Sequence, residues 1–197
     1  MSAEIFATLA IFAFVTSITP GPNNFMLLAS GVNFGFKRTV PHMLGIGSGF
    51  FALLLAVGFG LGELLERFPP LFLSLKFAGG AYLLFLAYRI ALSRSLGEDA
   101  SSGKPMSFLA AAAFQWVNPK AWVMAVTAMA TYTEMNTFLL SVFLVSIVFT
   151  LVNVPSIAAW AGFGSFMREW LSNPTRLKWF NISMGVLLAV SLWPMLR

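Results

Sequence analysis

Residues 5 to 36 read IFATLAIFAFVTSITPGPNNFMLLASGVNFGF, with no charged side chain anywhere in the run. A helix of about 20 apolar residues crosses the hydrocarbon core of a membrane, so the run can span. Its middle, however, is Thr19-Pro20-Gly21-Pro22-Asn23-Asn24. Proline removes a backbone donor and clashes with the preceding turn, and glycine adds conformational freedom, so regular α-helix is not expected here. Opened backbone in hydrocarbon costs several kcal/mol per unpaired group, and is tolerated only where protein or a watery cavity satisfies it. The stretch therefore reads as a transmembrane helix broken at mid-membrane, with Asn23 and Asn24 opening a second half-helix whose amides and positive dipole end suit a carboxylate.

The rest of the chain follows the same pattern. Residues 39–62, 135–167 and 179–196 lack charge, 68–88 hold only Lys76, and 105–133 hold only Lys120. Six crossings are expected, at about 4–29, 40–62, 70–92, 107–132, 137–164 and 178–196. At 58% hydrophobic and 10% charged residues, with mean hydropathy +0.83, an ordinary soluble domain is excluded. Continuous apolar runs also exclude a barrel, which needs short alternating segments. The opening Met-Ser-Ala-Glu has no basic leader, so the first segment is expected to stay rather than be cleaved as a signal.

Lys37 and Arg38, then Arg89, Arg94 and Lys104, then Arg168, Arg176 and Lys178 fall after the first, third and fifth crossings, against Arg67 and Arg197 on the other side. The positive-inside rule puts those three loops in the cytoplasm and both termini outside. The same distribution explains the pI near 10 without nucleic acid.

A polar stretch over 93–106, with Gly97, Glu98, Asp99, Ser101, Ser102 and Gly103, divides a first repeat of about 4–92 from a second of about 107–196 within one membrane domain. The halves share ordered features. Gly58-Phe59-Gly60 returns as Gly162-Phe163-Gly164, Pro70 as Pro174, Leu75-Lys76-Phe77 as Leu177-Lys178-Trp179, and the Pro20 and Pro22 breaks as Pro119. Three crossings per half force the halves to lie inverted. That is an architecture of secondary transporters, with the substrate site where the repeats meet.

The second break is Gln115-Trp116-Val117-Asn118-Pro119-Lys120. Lys120 sits about 20 Å into its helix, near mid-membrane. A cation there costs ~2.5–3.5 kcal/mol on insertion scales and should face the bundle interior. It would either bind a substrate carboxylate, or change protonation in the cycle, or rest permanently on carbonyls freed by Pro119. Lys76 reads better as snorkelling to the outer interface than as a site residue. Asn153, in Asn153-Val154-Pro155-Ser156, would line the cavity with Gln115 or bond a neighbouring helix.

These motifs carry a resemblance. The chain resembles the lysine exporter family in the broad sense, which includes homoserine/threonine exporters and, nearest in look, cysteine/O-acetylserine exporters. The resemblance runs nearly full length through Thr19-Pro20-Gly21-Pro22-Asn23, the stretch from Gly45 to Phe50, Gly79-Gly80-Ala81-Tyr82-Leu83, and Gln115 to Lys120. It implies export of small amino acids or their derivatives across a bacterial cytoplasmic membrane, driven by the proton gradient.

The expected fold is thus an all-α membrane protein of six transmembrane helices, built as two inverted three-helix repeats with helices one and four broken. The expected substrate site comprises Thr19, Pro20, Gly21, Pro22, Asn23, Asn24, Gln115, Asn118, Pro119, Lys120 and Asn153. The carboxylate would meet Lys120 and the amides near Asn23, while carbonyls and Asn153, Gln115 and Thr19 take the ammonium.

What is missing narrows the chemistry. The seven acids, Glu4, Glu63, Glu66, Glu98, Asp99, Glu134 and Glu169, all fall at segment ends or in loops. There are no cysteines and one histidine, His42. No buried ligand set for a transition metal, no cofactor and no carboxylate proton relay is expected, which leaves Lys120, a loop acid or the substrate itself to carry the proton. An intramembrane lipid enzyme would need a nucleophile with a base or metal, and a passive channel or structural subunit is the remaining alternative to a carrier. His42 is expected to be a solvated interface residue, and Trp170, Trp179 and Trp193 interface anchors. Gly45 with Gly49, and Gly58 with Gly62, should serve helix packing within the monomer ahead of a homo-oligomer contact.

Overall fold

Prolines decide where helices begin. At the first helical position proline gives up only an N–H that has no intrahelical partner, and its φ is already helical. In the computed structural model, which describes residues 2–62, 67–96 and 104–193, Pro22, Pro69, Pro119 and Pro174 each open a helix. The elements are α1 (Ala3–Ile18), α2 (Pro22–Phe34), α3 (Phe36–Gly58), α4 (Pro69–Leu92), α5 (Phe108–Phe114), α6 (Pro119–Tyr132), α7 (Phe138–Met167) and α8 (Pro174–Val190), with a 3-10 turn at Gln115–Val117 between α5 and α6. The described residues form helices and no strand. Glu63, Glu66, Arg197 and the part of the dividing loop holding Gly97 to Gly103 lie outside them.

Three helical stretches are long and apolar enough to cross a membrane, Phe36–Gly58, Leu73–Leu92 and Met135–Met167, and the pair α1 and α2, bent by 57°, makes a fourth if it is one span. The other two expected crossings are shorter pieces. Phe108 to Tyr132 is cut by the turn at Gln115–Val117, and α8 has 17 residues with Arg176 and Lys178 in its first turns. That helix also starts four residues earlier than the charge gap suggests. Its cap is Asn173, whose Oδ1 accepts from the amides of Thr175 at 3.0 Å and Arg176 at 3.2 Å. A cap signal, not hydropathy, sets that boundary. Likewise α3 begins at Phe36, because Gly35 at φ +79° turns the chain from α2 into α3 in a single residue, a conformation L side chains rarely adopt.

α7 packs against α1, α2 and α3; α3 also packs on α5 and α6; α4 packs on α8. Glycines permit the closest of these crossings. A Cβ on Gly31 would collide with the Ala161 carbonyl of α7, and one on Gly164 with the Leu28 carbonyl of α2. Gly45 and Gly49 lie in the same way on the backbone of α5 at Phe108 and Ala112, so this glycine pair packs within the monomer. Gly58 faces Val142 and Met129, whereas Gly62 has open space around it.

Two apolar clusters enclose the middle of the bundle. One joins α1, α3, α6 and α7 through Leu9, Leu53, Ala125 and Phe149, with Phe50 edge-on to Phe149 at 5.1 Å. The other joins α2, α3, α5 and α7 through Leu27, Ile46, Ala111 and Ile157. Both helix breaks lie between them. Trp170, Trp179 and Trp193 are exposed, as anchors at span ends would be.

Candidate functional site

The first break frees the last carbonyls of α1, and each has a donor. The Thr19 hydroxyl donates to the Thr16 carbonyl at 3.0 Å, the Asn24 amide to Ser17 at 2.8 Å and Thr19 at 2.7 Å, and the Trp160 indole to Ile18 at 3.0 Å. Helix α2 then starts at Pro22 with Gly21 in the cap position, and no side chain caps its amides. The second break is built the other way. Its cap is Asn118, whose Oδ1 accepts from the Lys120 amide at 3.2 Å, and the Trp122 indole donates to the freed Trp116 carbonyl at 2.8 Å.

Lys120 joins the two. Its ammonium donates to the Thr19 carbonyl at 2.7 Å, the Thr19 hydroxyl at 3.0 Å and the Pro20 carbonyl at 3.3 Å. Three acceptors match its three protons. These carbonyls come from the first break, in the other half of the chain, and not from the one Pro119 makes. Gly21 gives the lysine its room, since a Cβ there would sit 2.7 Å from Lys120 Cδ. A second bond between the halves is the amide pair of Asn23 and Gln115, in which Asn23 Nδ2 donates to Gln115 Oε1 at 2.8 Å and Gln115 Nε2 to Asn23 Oδ1 at 3.2 Å.

A cavity of about 20 Å³ lies between these groups, lined by Gly21, Asn23, Asn24, Gln115, Asn118, Lys120 and Asn153 among others. Thr19, Pro20, Pro22 and Pro119 shape it from the breaks without lining it. Asn153 lines the cavity, and its Nδ2 donates to Ser17 Oγ of α1 at 2.9 Å. Its Oδ1 is buried without a partner. A space of this size holds about one water, so a larger occupant requires the helices to move. Lys76 is not in the lining.

Sequence reasoning missed Ser17, Thr16 and the two indoles. Trp122 and Trp160 lie within apolar runs, and only the fold shows that their N–H groups reach carbonyls the breaks release. It also misplaced His42, expected at a wetted interface. The imidazole is 2% exposed, with neither ring nitrogen hydrogen-bonded. α3 begins at Phe36, so His42 lies six residues into the helix, where the chain is already inside the bundle. A third polar cluster was likewise unforeseen: Asn33 and Asn181 exchange amide bonds at 2.9 and 3.1 Å, with Ser93 donating to Asn33 Oδ1 at 3.0 Å. Among the described residues no cluster of His, Cys, Asp or Glu could hold a metal ion.

Residues 14–191 match the model of the LysE type translocator family. The cysteine/O-acetylserine efflux proteins of Escherichia coli (strain K12) and Shigella sonnei (strain Ss046) are each 31% identical over 190 residues, covering 95% of this chain and of theirs. That of Shigella flexneri serotype 5b (strain 8401) is 32% identical over 179 residues, 90% of each. No solved structure matches the chain. A match across nearly its whole length, on a helical bundle with apolar membrane-length helices, places this chain in the LysE type translocator family of amino-acid exporters.

Proposed function

We propose that the protein is a secondary carrier that exports small neutral amino acids or their derivatives, O-acetylserine and cysteine among them, by alternating access. The observation that carries this reading is the Lys120 ammonium held on the Thr19 and Pro20 carbonyls where the two breaks meet. A zwitterion can take over both sides of that contact. Its carboxylate replaces the carbonyls on Lys120 and reaches the uncapped amides of α2, while its ammonium takes the released carbonyls and the free Asn153 Oδ1. Each lost bond is replaced, so opening the contact costs little. A ligand lacking the ammonium leaves acceptors unpaired at about 1–3 kcal/mol each, a factor of about 5 to 150 in affinity per acceptor. A dibasic ligand brings a second cation for which the site has no acid.

Six crossings in two inverted repeats belong to the same proposal. It is supported by the way partners exchange between halves: α1 lies on α7 as α5 lies on α3, and α4 lies on α8. Pro22 and Pro119 start the equivalent half-helices, which makes Asn23 the counterpart of Lys120. Loops after crossings one, three and five would be cytoplasmic and both termini outside, in the bacterial inner membrane, with the proton gradient driving export. The small cavity favours a carrier over a passive channel, since cargo passes only if the helices rearrange.

The test is to overproduce the chain in cells and identify the amino acids that accumulate outside. The Lys120→Ala variant should insert normally and export nothing; wild-type export by that variant removes the site assignment.

A further inference from the structure

A second and much larger opening lies at one end of the bundle. A crevice of about 930 Å³ opens between α2, α3, α4 and the start of α5, its walls carrying Arg38, Arg89, Lys104, His42, Asn33 and Ser93. No acidic residue is among the described residues lining it. The start of α3, the end of α4 and the approach to α5 all meet there, bringing Arg38, Arg89 and Lys104 to one opening. Its volume is that of a ligand site, where the central cavity holds about one water.

The two spaces share helix faces. On α3, His42 lines the crevice, and Ile46 and Phe50, one and two turns on, line the central cavity. On α2, Asn33, Ser30 and Met26 line the crevice, and Asn23 continues the same face into the cavity. Ala110 on α5 lies in the crevice and Gln115 in the cavity. Between them stands an apolar plug of Leu27, Ile46, Ala111 and Ile157. Of the buried polar groups on the crevice side of that plug, Ser30 and Asn33 are hydrogen-bonded, whereas both ring nitrogens of His42 lack a partner. A group so placed pays desolvation for no bond within the protein, which an incoming polar ligand would return.

We infer that this crevice is a separate loading site, in which the carboxylate of the exported amino acid is held by the basic wall with Arg89 and meets His42 before the plug parts to admit it to Lys120. The inference rests on the exporter reading above. It gives the cargo two stations on one path, the first formed while the second is closed.

The cysteine-free chain makes the test direct. Ala110→Cys places one thiol in the crevice, and its labelling by an impermeant maleimide is followed in inside-out vesicles with and without O-acetyl-L-serine. At ten times its dissociation constant the ligand should slow labelling by roughly tenfold. Protection should persist with Lys120→Ala, which removes only the inner station, or with Gly21→Ala if the lysine variant fails to insert. It should be lost with Arg89→Gln, an exposed substitution, and with His42→Gln. Protection that vanishes with Lys120→Ala, or survives Arg89→Gln, overturns the loading site. So does equal slowing by phosphatidylglycerol nanodiscs without ligand, which would make a lipid headgroup the occupant. Export of O-acetyl-L-serine by the parent chain without protection defeats the loading site alone, whereas absence of both export and protection counts against the exporter reading for that cargo.

Discussion

The two helix breaks solve one problem with opposite chemistry. Both interrupt an apolar helix, both restart it on a proline preceded by extended backbone, and both lend a freed carbonyl to an indole N–H, from Trp160 in the first and Trp122 in the second. The second break then closes on itself, with Asn118 capping the amide of Lys120. The first does not: its cap position is Gly21, its amides have no side-chain cap, and two of its carbonyls, Thr19 beside its Asn24 donor and Pro20, accept from a lysine of the other half. One break is a rigid mount for a cation, and the other is a set of half-satisfied backbone groups. Because they complete each other across the halves, the contact can be undone by a ligand carrying both charges.

The largest effect should come from taking the cation away. Lys120→Ala leaves the mount intact but takes the lysine donor from the Pro20 carbonyl and from the Thr19 carbonyl, which keeps only its Asn24 bond, and export from cells should fall to background while membrane insertion holds. Next is the backbone of the acceptor side. Pro20→Ala with Pro22→Ala lets α1 run on toward α2, pairs the freed carbonyls within one helix, and should cut export at least about tenfold; wild-type turnover would mean the break is incidental. A third comparison separates room from capping. Gly21→Ala puts a Cβ 2.7 Å from Lys120 Cδ and should displace the ammonium, impairing export with little loss of stability. Asn118→Ala removes a cap and should lower stability by about 1 kcal/mol, seen as a drop in Tm in detergent, with the smaller effect on transport. The most symmetric change, and the one with the least expected effect on transport, is Trp160→Phe against Trp122→Phe. Each leaves one carbonyl without its indole donor, and both should lower Tm by similar amounts, about 1–3 kcal/mol in stability.

The breaks were legible because their signal is local. A Pro-Gly-Pro run or an Asn-Pro pair opens the backbone of an apolar run, where the single Pro41 and Pro155 leave α3 and α7 continuous, and Asn23, Gln115, Asn118, Lys120 and Asn153 announce themselves as polar groups too costly to leave in lipid. The cavity brings all five together. What remained hidden depends on which helices meet. That Lys120 rests on carbonyls of the other half follows from the packing of α6 near α1, and the buried Asn33–Asn181 pair from α2 against α8. His42 looked like an interface residue because the charge gap starts its helix too late; α3 begins at Phe36, and the imidazole lies six residues further in, buried. The Asn-Pro pair that opens α8 at Asn173 and Pro174 repeats the one at Asn118 and Pro119, and reading caps before hydropathy would have found it.

Countertransport in proteoliposomes tests the exchange at Lys120 most directly. Vesicles carrying the purified chain are loaded with O-acetylserine, and uptake of labelled O-acetylserine from outside is timed, with its N-acetylated and amidated analogues as alternative internal loads. The exchange predicts that internal zwitterion accelerates uptake, that neither singly charged analogue does, and that Lys120→Ala abolishes the acceleration. Equal acceleration by an analogue lacking one charge, or full acceleration in the Lys120→Ala vesicles, would contradict it.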